Sequence, residues 1–204
     1  MKQENSWDKV QTFSNGINVD GPDSLLAAVD GQIFHYDKKY YLTSGNQRVI
    51  SRASGAMITP VTIADTTTET TLYEGSVLSN TLSVGKVYRV SVFGQFSTVN
   101  ASVSLTVRTK LNGVELASIT STLGQVTGVA GFTQAYITTR STGATGAVSC
   151  FSSFQLDEKS FIANNGSVTL DTTSGNSIQI TGQWSIANAS NTVTADQGLL
   201  EAMN

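Results

Sequence analysis

Alternation of apolar and polar side chains at every second position is the feature that most constrains this chain. Ala101, Val103, Leu105 and Val107 alternate with Ser102, Ser104, Thr106 and Arg108. Successive side chains of a strand point to opposite faces, so the pattern predicts a strand with one buried and one wet face. Asn112-Gly113 follows, then Val114, Leu116 and Ile119, which predicts a hairpin turning through Asn-Gly. Ile178, Ile180, Trp184 and Ile186 alternate with Gln179, Thr181, Gln183 and Ser185, with Gly182 on the apolar face. Further strands are expected over 57–63, 70–73, 76–82, 86–97, 130–139, 145–157, 166–171 and 191–196. Turn signals separate them: Ser83-Val84-Gly85, Thr142-Gly143-Ala144, Asn164-Asn165-Gly166 and Ser174-Gly175-Asn176. Proline occurs only at 22 and 60, and no long helical period appears after residue 57. Eight to ten such strands predict an all-β fold, a sandwich of the jelly-roll kind.

The texture changes near Arg52-Ala53-Ser54-Gly55-Ala56. Two regions are expected, an N-terminal arm and attachment region over 1–56 and the jelly-roll sandwich over 57–204. In the first, Asp23 or Ser24 is placed to cap a short helical turn through Leu25-Leu26-Ala27-Ala28. Residues 31–36 and 40–43 read as a short aromatic hairpin, with Arg48-Val49-Ile50-Ser51 as a third strand. A hairpin of that size is not stable alone. Asp20, Asp23 and Asp30 lack the alternation of a calcium loop and read as turn and cap residues.

Composition excludes several kinds of chemistry. The 204 residues include one Cys and one His, so no intrachain disulfide and no Cys/His zinc site is available. Cys150 lies in the apolar run Val148-Ser149-Cys150-Phe151 and reads as a buried, inert thiol; His35 is the one imidazole it has for a partner. Charged residues are 13% of the chain, about half the usual share, and the net charge of −3 leaves no basic footprint for nucleic acid. No apolar run is long enough to span a bilayer, and the polar start Met1-Lys2-Gln3-Glu4-Asn5-Ser6-Trp7 has no apolar leader, so neither membrane insertion nor secretion is expected. Asn100, Asn165 and Asn188 open glycosylation-type triplets, but no glycan is expected without secretion. No phosphate-binding glycine loop is present. Asp65, Glu69, Glu74, Asp157 and Glu158 are carboxylates of the type glycosidases use, but every chain has some and the sequence shows no cleft. No catalytic residue, cofactor or metal is therefore expected, and the chain reads as a non-enzyme.

Two strands are apolar on both faces. In 86–97, Tyr88, Val90, Val92 and Phe96 share one parity while Val87 and Phe93 take the other. In 145–157, Phe151 opposes Val148, Cys150, Phe154 and Leu156. A sandwich needs one apolar face per sheet. The second face calls for cover by the N-terminal region or by another copy of the chain, the plain alternative being scattered surface apolars. Val87, Phe93 and Phe151 are the subunit-interface candidates. Trp184, Tyr88, Tyr136, Phe132 and Phe154 lie in expected strands and read mostly as core, whereas Tyr36, Tyr40 and Tyr41 are candidates for surface binding.

From Val61-Thr62-Ile63-Ala64-Asp65-Thr66-Thr67-Thr68-Glu69-Thr70-Thr71-Leu72 onward, through Leu78-Ser79-Asn80-Thr81-Leu82-Ser83-Val84-Gly85-Lys86-Val87-Tyr88-Arg89-Val90, the chain resembles the jelly-roll domains of tailed-phage virion proteins. The ending, Ser177 to Asn188 followed by Asn191-Thr192-Val193-Thr194, is similar too. The resemblance covers roughly 57–204, with a looser one of 1–56 to attachment and shaft segments. It implies a homotrimeric capsid decoration protein or head fibre, assembled in the host cytoplasm and resident on the virion. Its implied partners are two further copies and the major capsid protein or another virion protein. Trp7, Phe13 and Ile17 are then the expected particle anchors. The alternative is a receptor-binding tail fibre or tip recognising a host-surface saccharide. The family supplies no catalytic motif to carry over.

Overall fold

The computed structural model describes residues 56–77 and 81–203, and the backbone strands at 33–36, 39–44 and 46–51. Spatially the chain divides into Met1–Arg52 and Ala53–Asn204, each described by itself. In the first unit β1 (Ile33–Tyr36), β2 (Lys39–Ser44) and β3 (Asn46–Ser51) form an antiparallel sheet in that order, with Ile33 opposite Leu42 and Tyr41 opposite Val49. The expected hairpin and third strand are there. The proposed helical turn at 25–28 lies outside the described residues.

The second unit is an antiparallel β-sandwich of jelly-roll type. Its strands are β4 (Val61–Ala64), β5 (Thr70–Val77), β6 (Val87–Thr98), β7 (Ser104–Leu111), β8 (Val114–Thr122), β9 (Val126–Ser141), β10 (Gly146–Leu156), β11 (Lys159–Leu170), β12 (Asn176–Trp184) and β13 (Thr192–Ala202). A six-stranded sheet runs β11-β10-β9-β6-β13-β4 and a four-stranded sheet runs β5-β12-β7-β8. The last two strands each insert between earlier ones, β12 between β5 and β7 and β13 between β4 and β6. That interleaving of late with early strands is the Greek-key wrapping of a jelly roll.

The alternation places the core. Leu105, Val107 and Leu111 of β7 and Val148, Cys150, Phe154 and Leu156 of β10 are all buried and belong to one core between the sheets. Ile178, Ile180 and Trp184 of β12 are buried with them, and a side chain at Gly182 would press on Ile63 and Leu72. Trp184 donates from Nε1 to the Ile63 carbonyl at 3.4 Å, joining β12 in one sheet to β4 in the other. Thr109 and Ser152 share a buried hydroxyl contact between the sheets at 3.2 Å. Such pairing satisfies polar groups that would otherwise be costly to bury.

Several boundaries differ from those read in the sequence. The first strand starts at Val61 rather than 57, because Pro60 cannot donate to the ladder. The segments 70–73 and 76–82 are not two strands: Thr70–Val77 is continuous, and Leu82 is buried from a loop. Asn164-Asn165-Gly166 is not a turn but an irregularity inside β11, where the register against β10 jumps between Val148 and Cys150. The turn falls instead at Asp157-Glu158, between paired Leu156 and Lys159, with Asp157 in the left-handed region at φ 52°. Ile186 lies beyond the end of β12 and is exposed. Ala101 sits in a turn before β7 and is exposed.

Candidate functional site

The two sheets present unlike outer faces. On the four-stranded sheet Thr106 and Thr120 share a hydroxyl contact at 2.9 Å. Arg108 Nε lies 3.1 Å from Glu115, and Lys110 Nζ lies 2.6 Å from Glu69. Thr181 donates to the same Glu69 carboxylate at 2.6 Å. This face is polar and paired.

The outer face of the six-stranded sheet is mixed. Strand register sets its rows. Glu201, Arg89, Tyr136, Phe151 and Asn164 follow one another across β13, β6, β9, β10 and β11. The next row is Leu199, Ser91, Gln134, Ser153 and Ile162. The third is Gln197, Phe93, Phe132, Gln155 and Ser160. The middle of the face is tied together: Arg89 Nε donates to Glu201 at 2.8 Å, Tyr136 to Gln134 at 3.1 Å, and Gln134 to Ser91 at 3.1 Å. The Glu201 carboxylate, and then Tyr136, hold the Arg89 guanidinium all the more firmly protonated. Two apolar regions flank this network, Phe151 with Ile162 on β10 and β11, and Phe93 with Phe132 at one end.

At that end the sheet carries a groove of about 680 Å³. The rings of Phe93 and Phe132 lie 5.8 Å apart, tilted by 34°. Gln95, Gln155 and Gln197 add amides, and Asp157, Glu158 and Asp196 add carboxylates. A β-bulge in β13 supplies Asp196: the register against β6 skips it, between Ala195 and Gln197, so two consecutive side chains are exposed. Gly94 is the residue the bulge demands, since a Cβ there would lie 1.9 Å from the Thr194 carbonyl oxygen. Among the described residues no group of three His, Cys, Asp or Glu side chains is placed to hold a metal ion, and no helix is long and apolar enough to cross a membrane.

The sequence candidates are distributed as follows. Phe93 and Phe151 are 42% and 40% exposed on this outer face, and Val87 is half-buried on it. Trp184, Tyr88 and Phe154 are core, but Phe132 and Tyr136 are only half-buried and belong to the outer face. Trp7, Phe13 and Ile17 lie outside the described residues, as do the side chains of Tyr36, Tyr40 and Tyr41. Cys150 is fully buried, and burial pushes its thiol up to about 12, so it is held as an unreactive thiol. The groove itself is not legible in the sequence: Asp157 and Glu158 stand there as carboxylates without a cleft, and neither the bulge at Asp196 nor the pairing of Phe93 with Phe132 has a local signal.

No family model matches the sequence, and no curated protein matches it. Among solved structures, an alginate lyase from Klebsiella pneumoniae is similar at 8% identity and a TM-score of 0.23, over 59% of this chain and 59% of that one. That protein is an enzyme, and beside it the expectation of a non-enzyme is withdrawn. The likeness carries no argument for a particular reaction, and none is assigned.

Proposed function

We propose that this chain is a structural protein of a tailed-phage virion, a capsid decoration protein or head fibre that works as a homotrimer. Residues 1–56 hold it to the major capsid protein or another virion protein. The sandwich packs against its two sister copies through the part of the six-stranded sheet's outer face around Phe151 and Ile162 on β10 and β11, which leaves the Phe93 groove open. The observation that carries this reading is the contrast between the two outer faces. One is paired and polar; the other exposes Phe151 at 40% and Ile162 at 71% on adjacent strands. Large apolar side chains grouped on one face of a sheet mark a surface that another protein covers. Three arms on one trimer then raise the effective concentration of each arm once the first has docked, so a weak individual contact gives a lasting attachment. Assembly in the host cytoplasm and residence on the virion follow from the same reading.

Light scattering on the purified chain tests it. We expect three times the 21.5 kDa chain mass at micromolar concentration. Phe151→Asp combined with Ile162→Asp should give a monomer whose β-sheet circular dichroism is unchanged. A wild-type monomer at that concentration overturns the trimer. Deleting residues 1–17 should leave the trimer folded and abolish loading onto particles; undiminished loading removes Trp7, Phe13 and Ile17 as anchors.

A further inference from the structure

We propose that the groove at the Phe93 end of the six-stranded sheet is a binding site for a neutral oligosaccharide. The claim goes beyond the virion reading and does not depend on it, because Phe151 and Ile162 take no part in the groove.

Four properties carry it. The first is an aromatic floor. Phe93 is 42% exposed, and its cross-strand neighbour Phe132 lies beside it at 5.8 Å. The face of a phenyl ring is electron-rich, and it attracts the slightly positive C–H bonds on the apolar face of a pyranose ring. The second is a polar rim of the right kind. Gln155 and Gln197 flank the two rings in the same row, and Gln95 lies one step along β6. A side-chain amide both donates and accepts, as a sugar hydroxyl does. Among the described residues no side-chain hydrogen bond engages these three amides, so their capacity faces the groove.

The third property is charge. Asp157, Glu158 and Asp196 line the groove, and no lysine or arginine does. Carboxylates accept strong hydrogen bonds from hydroxyl donors and repel an anionic ligand. A neutral glycan meets both conditions; a uronate-bearing or sialylated one meets a wall of like charge. The fourth is size. About 680 Å³ lies inside the roughly 300–1,000 Å³ range of small-ligand sites, which leaves room for several sugar rings. The site also stands on four hydrogen-bonded strands, β13, β6, β9 and β10, so its floor is in place before a ligand arrives.

The test uses the full chain and uncharged tetrasaccharides built on glucose, galactose and mannose, with a uronate tetrasaccharide as the charged counterpart. Binding is followed by amide chemical shifts. We expect at least one neutral tetrasaccharide to bind at millimolar or lower concentration, moving the resonances of Gly94, Gly131 and Gln197, while the uronate leaves them in place. Phe93→Ala should weaken the neutral ligand by about tenfold. Gln197→Ala, at an exposed position whose loss cannot unfold the sheet, should weaken it several-fold. Absence of binding by every neutral probe, preference for the uronate, or unchanged affinity in both variants overturns the assignment. The oligomeric state is read from the same samples by light scattering, so a monomer that still binds refutes the trimer and leaves the groove standing.

Discussion

Glu69, just ahead of β5, is the most connected charge described in the molecule. Lys110 Nζ lies 2.6 Å from one of its oxygens, Thr181 donates to that oxygen at 2.6 Å, and Arg108 Nη1 lies 3.7 Å from the other. Burial alone would raise its pKa. The hydrogen bonds from Lys110 and Thr181, then the charges of Lys110 and Arg108, outweigh burial and hold it below 4.5. A carboxylate whose folded-state pKa is lowered stabilises the fold above its unfolded pKa, and that contribution disappears as pH falls through the folded value. Glu69→Gln should therefore cost about 1 kcal/mol at pH 7, a partly exposed network being screened by water. The cost should shrink toward zero as pH falls from 4.5 through the lowered folded-state value, checked by urea denaturation of both proteins across pH. An undiminished cost in acid would mean that packing, not charge, accounts for it. In the sequence Glu69 was one acid in the run Asp65-Thr66-Thr67-Thr68-Glu69-Thr70-Thr71-Leu72. Its partners lie on β7 and β12, and nothing local announces them.

At the scale of elements, regular alternation was legible and its interruptions were not. β7 reads straight from the sequence, and Asn112-Gly113 makes its turn as expected, with φ of 52° and 75°. A two-residue hairpin loop with both central residues left-handed is the type I′ turn that matches strand twist. Leu116 and Ile119 have opposite parity, yet both are buried in β8, because the register against β7 shifts between Thr109 and Lys110. The same device buries both Leu72 and Tyr73 in β5, where β12 pairs Ile180 with Tyr73 and Thr181 with Thr71. A bulge flips the parity of everything beyond it, so an alternation count misplaces one half of the strand. Gly113 offers a test of backbone conformation alone, since a Cβ there meets nothing within 4 Å. Gly113→Ala should cost about 1 kcal/mol, whereas Gly166→Ala, equally open but without a positive φ, should be neutral or slightly stabilising. Thermal melts of the two variants compare them directly; equal losses would refute the account of the turn.

In the molecule as a whole, β13 is the strand that closes the larger sheet. It pairs with β6 over most of its length and with β4 on its other side. Its partner β6 begins more than a hundred residues earlier in the chain, so the sheet closes only after a large entropic cost has been met. Removing residues 192–204 exposes both neighbours along their hydrogen-bonding edges and takes Val193, Ala195 and Leu200 out of the core. That chain should show no cooperative urea transition, and a retained sharp transition would mean that the remaining strands form a sandwich without β13.

What the sequence determined by itself is the class of fold and, for most strands, which side chains turn inward. Both follow from a two-residue period and from turn residues with special φ, which are local properties of the chain. The tertiary structure decided which strands became neighbours, where bulges reset the parity, and hence that Phe93, Phe132, Gln197 and Asp196 share one groove. Those outcomes depend on backbone hydrogen bonds between segments far apart in sequence, and no local pattern encodes the partner of such a bond.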